Sequence, residues 1–106
     1  MIQRGDIRWF RFLSPDKKRP VVVLGLDSIL PSLSQVPVIP ISTQIRGLPW
    51  EVALSAEDGL PNVCVMKPEW IRTVESSFLG PRIASFPDRR WPEVRAALLH
   101  VLGLET

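Results

Sequence analysis

The sequence predicts a mainly β (α+β) chain in which five to seven short antiparallel strands form a small barrel or sheet, followed by one C-terminal α-helix. Short apolar or alternating segments recur about every ten residues and are separated by Pro, Gly, Ser and Asp. Only residues 91–102 carry apolar side chains at the spacing of an amphipathic helix. The length of 106 residues, with 45% hydrophobic and 23% charged residues, is typical of one globular domain spanning 1–106.

A basic segment that runs directly into a β-branched block predicts the second strand. The apolar run Val21–Leu24 has no alternation, which indicates a strand buried on both faces. Pro20 suits the first position of a strand and favours an extended conformation at Arg19. We therefore expect Arg19 at the mouth of a buried strand, where it could hold an anion. The alternative is that the basic segment is a solvated charge cluster that caps a core strand.

The remaining segments predict the other strands and the helix. The first strand is expected at Ile7–Phe12, and the third at Val36–Thr43. Because the third segment contains two prolines, we expect an edge strand or a strand with a bulge. Further strands are expected at 50–54, 63–66, 70–75 and 82–84. The helix is expected to begin near Pro92 and to end before Gly103.

Composition excludes several classes of function. Ten of the 13 cations are Arg, which favours phosphate contacts, but a net charge of +2 does not by itself indicate a nucleic-acid partner. The single cysteine, Cys64, allows neither an intrachain disulfide nor a cysteine-based zinc site, and its apolar neighbours predict burial. No apolar run is long enough for a membrane span, and the N-terminus lacks a secretory h-region, so we expect a cytoplasmic protein without a membrane partner.

Four side chains have both a structural and a functional interpretation. Trp9, Trp50 and Trp70 are expected in the core, although exposed aromatic rings beside arginines could instead stack on unpaired bases. His100 is expected to be structural, because the sequence around it contains no second ligand for a metal ion.

Six segments, taken in order over about 100 residues, resemble the MazF/PemK toxin family. They are Arg4–Ile7, Lys18–Val23, Val38–Gln44, Gly47–Leu54, Ile71–Val74 and Leu102–Leu104. The resemblance implies an SH3-like, MazF/CcdB-like barrel with a C-terminal helix, a homodimer, and a sequence-selective endoribonuclease that acts on single-stranded RNA. It also implies neutralisation by a cognate antitoxin protein.

The resemblance further implies which residues carry the chemistry. The catalytic pair of the family corresponds to Arg19 and Ser42, where the family more often has Thr. The 2′-hydroxyl attacks the adjacent phosphate without a metal or other cofactor, which gives 2′,3′-cyclic phosphate and 5′-hydroxyl ends. Thr43, Lys67 and Glu69 are candidates for catalysis or RNA binding. The candidate RNA-binding residues are Lys17, Lys18, Gln44, Arg46 and Arg72.

Two alternatives belong to other functional classes. The first is a CcdB-like toxin that binds DNA gyrase and has no nuclease activity, although such a binder does not need the pair Arg19 and Ser42. The second is a barrel that binds RNA without cleaving it. This alternative is left open by the serine at position 42 and by the loop Ser14–Lys18, which is several residues shorter than in many members of the family.

Overall fold

The structure, a computed structural model, describes residues 1–13 and 18–105. The sequence Ser14-Pro15-Asp16 predicts a turn, and this turn and the candidate RNA-binding residue Lys17 lie outside these ranges. The described residues form seven strands and one α-helix. These are β1 (Asp6–Arg11), β2 (Lys18–Val23), β3 (Gln35–Ser42), β4 (Val52–Leu54), β5 (Cys64–Met66), β6 (Arg72–Glu75), β7 (Arg82–Ser85) and α1 (Trp91–Val101).

The strands form one curled antiparallel sheet in the order β4-β5-β3-β2-β1-β7, and β6 also pairs with β3. This arrangement confirms the predicted fold class, the strand number and the C-terminal helix. The loop between β2 and β3 contains one 3₁₀ turn at Leu30–Ser32.

The central strand β2 separates two apolar clusters, which confirms the predicted burial on both faces. Val22 packs in one cluster with Ile39 of β3 and Val94 of α1. Val21 and Val23 point to the other face and pack in a second cluster. All three valines of β2 are fully buried. Successive side chains of a strand point to opposite faces, so a continuous apolar run serves two cores at once.

Of the two alternatives that the prolines of β3 predicted, an edge strand or a strand with a bulge, the edge strand is wrong. One edge of β3 pairs with β2, and the other edge pairs first with β6 and then with β5. The carbonyl of Pro37 accepts a hydrogen bond from Leu24, just beyond the last β2–β3 pair. Pro40 lies where the partner of β3 changes from β6 to β5. Pro37 therefore lies at the end of the β2–β3 ladder, and Pro40 lies at the change of partner on the other edge. At these positions the missing N–H of proline removes no ladder hydrogen bond, so it costs little stability.

A gap lies between β2 and β3 at the end of β3 that carries Ser42. The last register pair at this end of the two strands is Val21 with Pro40, and continuing that register would place Arg19 opposite Ser42. Ser42 pairs with Val65 of β5 on the other edge of β3, but no pair with β2 continues beyond Pro40, and residues 18–20 of β2 pair only with β1. The strands diverge, and the side chains at their ends line a cleft rather than a ladder.

The termini of several elements differ from the sequence-based expectation. Trp50 precedes β4, Val63 is exposed before β5, and Trp70 lies in the 3₁₀ turn Pro68–Trp70 rather than in β6. The helix begins after a 3₁₀ turn at Asp88–Arg90, close to the predicted start.

The C-terminal end of α1 confirms the predicted stop. Gly103 has a φ of 69° and donates to the carbonyl of His100, while Leu104 donates to that of Leu99. This pattern of two bonds closes a helix, and it requires a residue that tolerates positive φ. In the described part of the chain, no helix combines the length and apolarity needed to cross a membrane.

Candidate functional site

The gap between β2 and β3 forms a cleft of about 350 Å³, which we call the Arg19–Ser42 cleft. Three parts of the chain line it: the ends of β1 and β2, the end of β3 with the residues after it, and the segment that leads into β5. The lining residues are Trp9, Lys18, Arg19, Pro20, Ile41, Ser42, Thr43, Gln44, Leu60, Pro61, Asn62 and Cys64. The structure thus brings Arg19 and Ser42, which are 23 positions apart in the sequence, into one site.

Arg19 is half-buried on β2, opposite Phe10 of β1. Its guanidinium carbon lies 5.7 Å from the centre of the Trp70 ring. An arginine held between a strand and an aromatic ring keeps its charge but loses part of its rotamer freedom. This geometry agrees with the expectation that the cation is held in place at the mouth of a buried strand.

Ser42 is 6% exposed at the end of β3, and its Oγ accepts a hydrogen bond of 3.0 Å from the backbone N–H of Gln44. Serine has no β-branch to fix its rotamer, so this local bond supplies a restraint that threonine would gain from its shape. Because Oγ accepts this bond, its own O–H remains available to donate to a ligand.

The cleft has the electrostatic character of an anion site. Its described lining contains two cations, Lys18 and Arg19, and no carboxylate. The Lys18 ammonium lies 5.4 Å from the Trp9 ring centre, and this half-buried indole forms one wall. Cys64 contributes a neutral thiol, because burial, reinforced by the charge of Asp58, raises its pKa above the ordinary value.

Lys67 and Glu69 do not line the cleft. The side chain of Lys67 is 1% exposed and forms an ion pair with Glu51, whose side chain is 3% exposed. The side chain of Lys67, a candidate for catalysis or RNA binding from the sequence, therefore faces the interior. A buried ammonium needs a partner, and the carboxylate of Glu51 supplies one. Glu69 is exposed in the 3₁₀ turn Pro68–Trp70.

The two arginines that were candidates for RNA binding also lie outside the cleft lining. Arg46 is exposed in the loop after β3, and its backbone N–H donates to the carboxylate of Glu51. Arg72 is exposed on β6, with its guanidinium carbon 5.1 Å from the centre of the Phe12 ring. Phe12 packs against the second apolar cluster, so Arg72 belongs to that side of the sheet.

The tryptophans occupy three different environments. Trp50 packs against the first core cluster as expected, with its ring centre 5.7 Å from that of His100. Trp9 lines the cleft, and Trp70 is 40% exposed beside Arg19. Core packing therefore describes Trp50 best, whereas Trp9 and Trp70 present ring surface near the site.

Sequence reasoning missed the third wall of the cleft and the partner of Lys67. Leu60, Pro61 and Asn62 reach the cleft because β5 pairs with the end of β3. No local pattern assigns that pairing. Glu51 lies 16 positions before Lys67, a separation that only the tertiary structure brings into contact.

Among the residues that the structure describes, no group of three or more His, Cys, Asp or Glu side chains is arranged to hold a metal ion. His100 instead contacts Glu105 through Nδ1 at 2.5 Å on the exposed face of α1.

Comparisons with known proteins agree on one family. A family profile described as "PemK-like, MazF-like toxin of type II toxin-antitoxin system" matches residues 3–102. Endoribonuclease MazF3 of Mycobacterium tuberculosis is 32% identical over 90 residues, which cover 85% of this chain and 87% of that protein. The probable endoribonuclease MazF5 of the same species is 32% identical over 96 residues, or 90% of this chain and 87% of that protein. The solved structure of M. tuberculosis toxin MazF-mt6 superposes with a TM-score of 0.87 at 29% identity, covering 95% of this chain and 99% of that one.

Proposed function

Because this chain belongs to the PemK/MazF family of type II toxin–antitoxin toxins, we propose that it is a sequence-selective endoribonuclease that cleaves single-stranded RNA without a metal ion. The reacting phosphate would bind in the Arg19–Ser42 cleft. The observation that carries this proposal is that the half-buried Arg19 and the buried hydroxyl of Ser42 line one cleft. The described lining of that cleft contains two cations, Arg19 and Lys18, and no carboxylate.

The proposed reaction is an internal transesterification. The 2′-oxygen forms a bond to the adjacent phosphorus as the bond from phosphorus to the 5′-oxygen breaks. The 2′-hydroxyl releases its proton to solvent water and the leaving 5′-oxygen takes one from solvent, which gives 2′,3′-cyclic phosphate and 5′-hydroxyl ends. Negative charge accumulates on the phosphorane oxygens, and Arg19 would stabilise that charge. One such donor in a preorganised site contributes roughly 10²–10³ in rate.

Ser42 would donate its O–H to a phosphate oxygen or to the 2′-oxygen. Its Oγ already accepts the N–H of Gln44, so the direction left for donation is constrained. Arginine side chains stay protonated in proteins, so we assign Arg19 electrostatic stabilisation and hydrogen-bond donation to the phosphorane oxygens rather than proton abstraction.

RNA binding outside the reacting phosphate is assigned to residues at the cleft and its rim. Lys18 would contact a neighbouring phosphate, and Thr43 and Gln44 would contact phosphate or base edges, because all three line the cleft. Arg46, in the loop after β3, would extend this surface. Lys17, Arg72 and Glu69 remain predictions from the sequence.

The family also supports proposals about assembly. We propose that residues 1–106 form a single toxin domain, that two copies form a homodimer, and that a cognate antitoxin protein neutralises it. Since the proposed substrate is cellular RNA, we also propose that the protein acts in the cytoplasm. Light scattering of the purified chain would give the mass of the dimer or of a monomer.

The decisive experiment incubates purified protein with long mixed-sequence RNA in excess EDTA and maps the product ends. We expect discrete cuts with 5′-hydroxyl ends that disappear in Arg19→Ala and weaken in Ser42→Ala. Intact RNA at high protein concentration would contradict nuclease activity. RNA bound but uncut would favour the non-cleaving barrel, and gyrase binding without RNA binding would favour the CcdB-like alternative.

A further inference from the structure

The ion pair between Glu51 and Lys67 is buried next to the site but does not enter it. Their side chains are 3% and 1% exposed, and neither residue lines the cleft. The backbone N–H of Lys67 donates to the carbonyl of Pro40 at 2.9 Å, which fixes Lys67 to β3 two residues before Ser42. The pair is thus anchored to the strand that carries the serine.

The carboxylate of Glu51 also receives three successive backbone N–H groups of the loop that follows β3. The distances to its Oε1 are 3.2 Å from Arg46, 2.9 Å from Gly47 and 3.3 Å from Leu48. The hydrogen bond from Lys67 is the largest cause of a lowered Glu51 pKa, and the backbone groups of Leu48 and Arg46 lower it further. The carboxylate therefore stays charged, and a charged acceptor makes the stronger hydrogen bonds.

The loop held in this way is the one that begins at the cleft. Thr43 and Gln44 line the cleft, and Arg46 follows them. Gly47 has a φ of 71°, so the backbone turns back at the point where Glu51 binds it. The Trp70 ring also connects the pair to Arg19, because it contacts both cations. The Lys67 ammonium and the Arg19 guanidinium lie 5.6 and 5.7 Å from its centre.

We propose that Glu51 and Lys67 are positioning residues that hold the loop at 43–48 in the conformation that binds RNA beside the Arg19–Ser42 cleft. This inference rests on the proposed function for its ligand. Lys67 fixes the carboxylate of Glu51, and that carboxylate fixes the loop through its backbone N–H groups. The competing account is that the pair only stabilises the fold, in which case well-packed neutral residues would replace it without consequence for RNA.

Two double variants separate these accounts. Glu51→Gln with Lys67→Met removes both charges but keeps a carbonyl oxygen that accepts the loop N–H groups. Glu51→Leu with Lys67→Met removes both charges and the acceptor. If the second variant does not fold, Glu51→Ser with Lys67→Met replaces it, because the short hydroxyl does not reach the loop. Arg90→Met is the control, because it breaks one ion pair with the buried Asp58 and one with the exposed Glu93, both away from the cleft.

Two readouts apply to each variant: amide hydrogen exchange at 46–48, and the Kd for a fluorescein-labelled random-sequence 12-nucleotide RNA. Loss of the acceptor is expected to accelerate exchange at these amides at least tenfold and to weaken RNA binding at least tenfold. The Gln-containing variant and Arg90→Met should stay within about threefold of wild type in both. Equal exchange and equal Kd in the two double variants would overturn the proposal.

The design distinguishes failure of the inference from failure of the proposed function. If the wild type binds the RNA but cuts nothing, the nuclease assignment fails while both readouts still test the positioning role. If the wild type does not bind the RNA at all, the inference and the proposed function fall together. Where both hold, the acceptor-free variant should raise KM for cleavage at least tenfold with kcat within about threefold of wild type. Equal losses of kcat and thermal stability without a change in Kd would indicate a merely structural pair.

Discussion

The two cations of the cleft should contribute unequally to cleavage, because they differ in burial. Arg19 is half-buried against Trp70, whereas Lys18 is exposed at the rim. The interaction energy of two unit charges 4 Å apart is about 4 kcal/mol at an effective dielectric constant near 20, which applies to partly buried sites. In bulk water the same interaction energy is about fourfold smaller. We therefore expect Arg19→Ala to lower single-turnover cleavage by roughly 10²–10³, and Lys18→Ala to lower it by no more than about fivefold.

Salt provides the second half of this test. We would raise the salt concentration from about 0.05 to about 0.5 M, which shortens the Debye length roughly threefold. This change should abolish most of the loss of cleavage caused by Lys18→Ala. The Arg19→Ala defect should persist, because a partly buried charge is screened less. The assay is cleavage of a 5′-labelled RNA at a mapped site, with enzyme in excess.

Arg89→Ala is the control for loss of one positive charge, because Arg89 is exposed at Asp88–Arg90 and does not line the cleft. It should cleave at the wild-type rate. Activity of Arg19→Ala within tenfold of wild type, with the fold retained by circular dichroism, would refute the electrostatic argument. Equal losses of cleavage rate in Lys18→Ala and Arg19→Ala at high salt would refute the argument that the two cations contribute unequally because they differ in burial.

The hydroxyl of Ser42, the positive φ of Gly59 and the charge of Glu51 each give one further prediction. Ser42→Ala should lower the cleavage rate roughly 10- to 100-fold in the same assay, as expected for loss of one hydrogen bond to a charged group. Ser42→Thr should retain activity, because it keeps the hydroxyl. Gly59→Ala should destabilise the fold by about 2 kcal/mol or more in urea unfolding, because φ is +86° and the added Cβ would lie 2.7 Å from the Cβ of Ala84; an unchanged midpoint would contradict this backbone constraint. The hydrogen bond from Lys67 lowers the pKa of Glu51 below 4.5, so its stabilising contribution is present above that pH and is lost as pH falls through the folded-state pKa. Acidification below about pH 4.5 should therefore destabilise the wild type more steeply than Glu51→Gln with Lys67→Met, and parallel stability curves would show that the pair is not responsible.

Local sequence patterns determined the elements that depend on short-range chemistry. The run Val21–Val23 requires two apolar environments, so its central position was predictable. The spacing from Trp91 to Val101 and the positive φ at Gly103 determine the helix and its end in the same local way. Arg19 could be placed at the start of a buried strand for the same reason, and the resemblance to a known family supplied Ser42 as its partner.

Only the tertiary structure decided which strands pair and what the loops contact. The prolines of β3 indicated an edge strand when considered alone, but β2, β5 and β6 each pair with part of β3 and leave gaps where N–H groups are missing. The sequence made Lys67 a candidate for catalysis or RNA binding, because no pattern near it in the sequence identifies Glu51 as its partner. Side-chain periodicity and turn chemistry are local properties of the chain, whereas strand pairing and the burial of charge depend on contacts between distant segments. For this reason, the sequence alone determined where the strand of Arg19 and the C-terminal helix lie in the chain. The fold decided which residues form the cleft and which loop Glu51 binds.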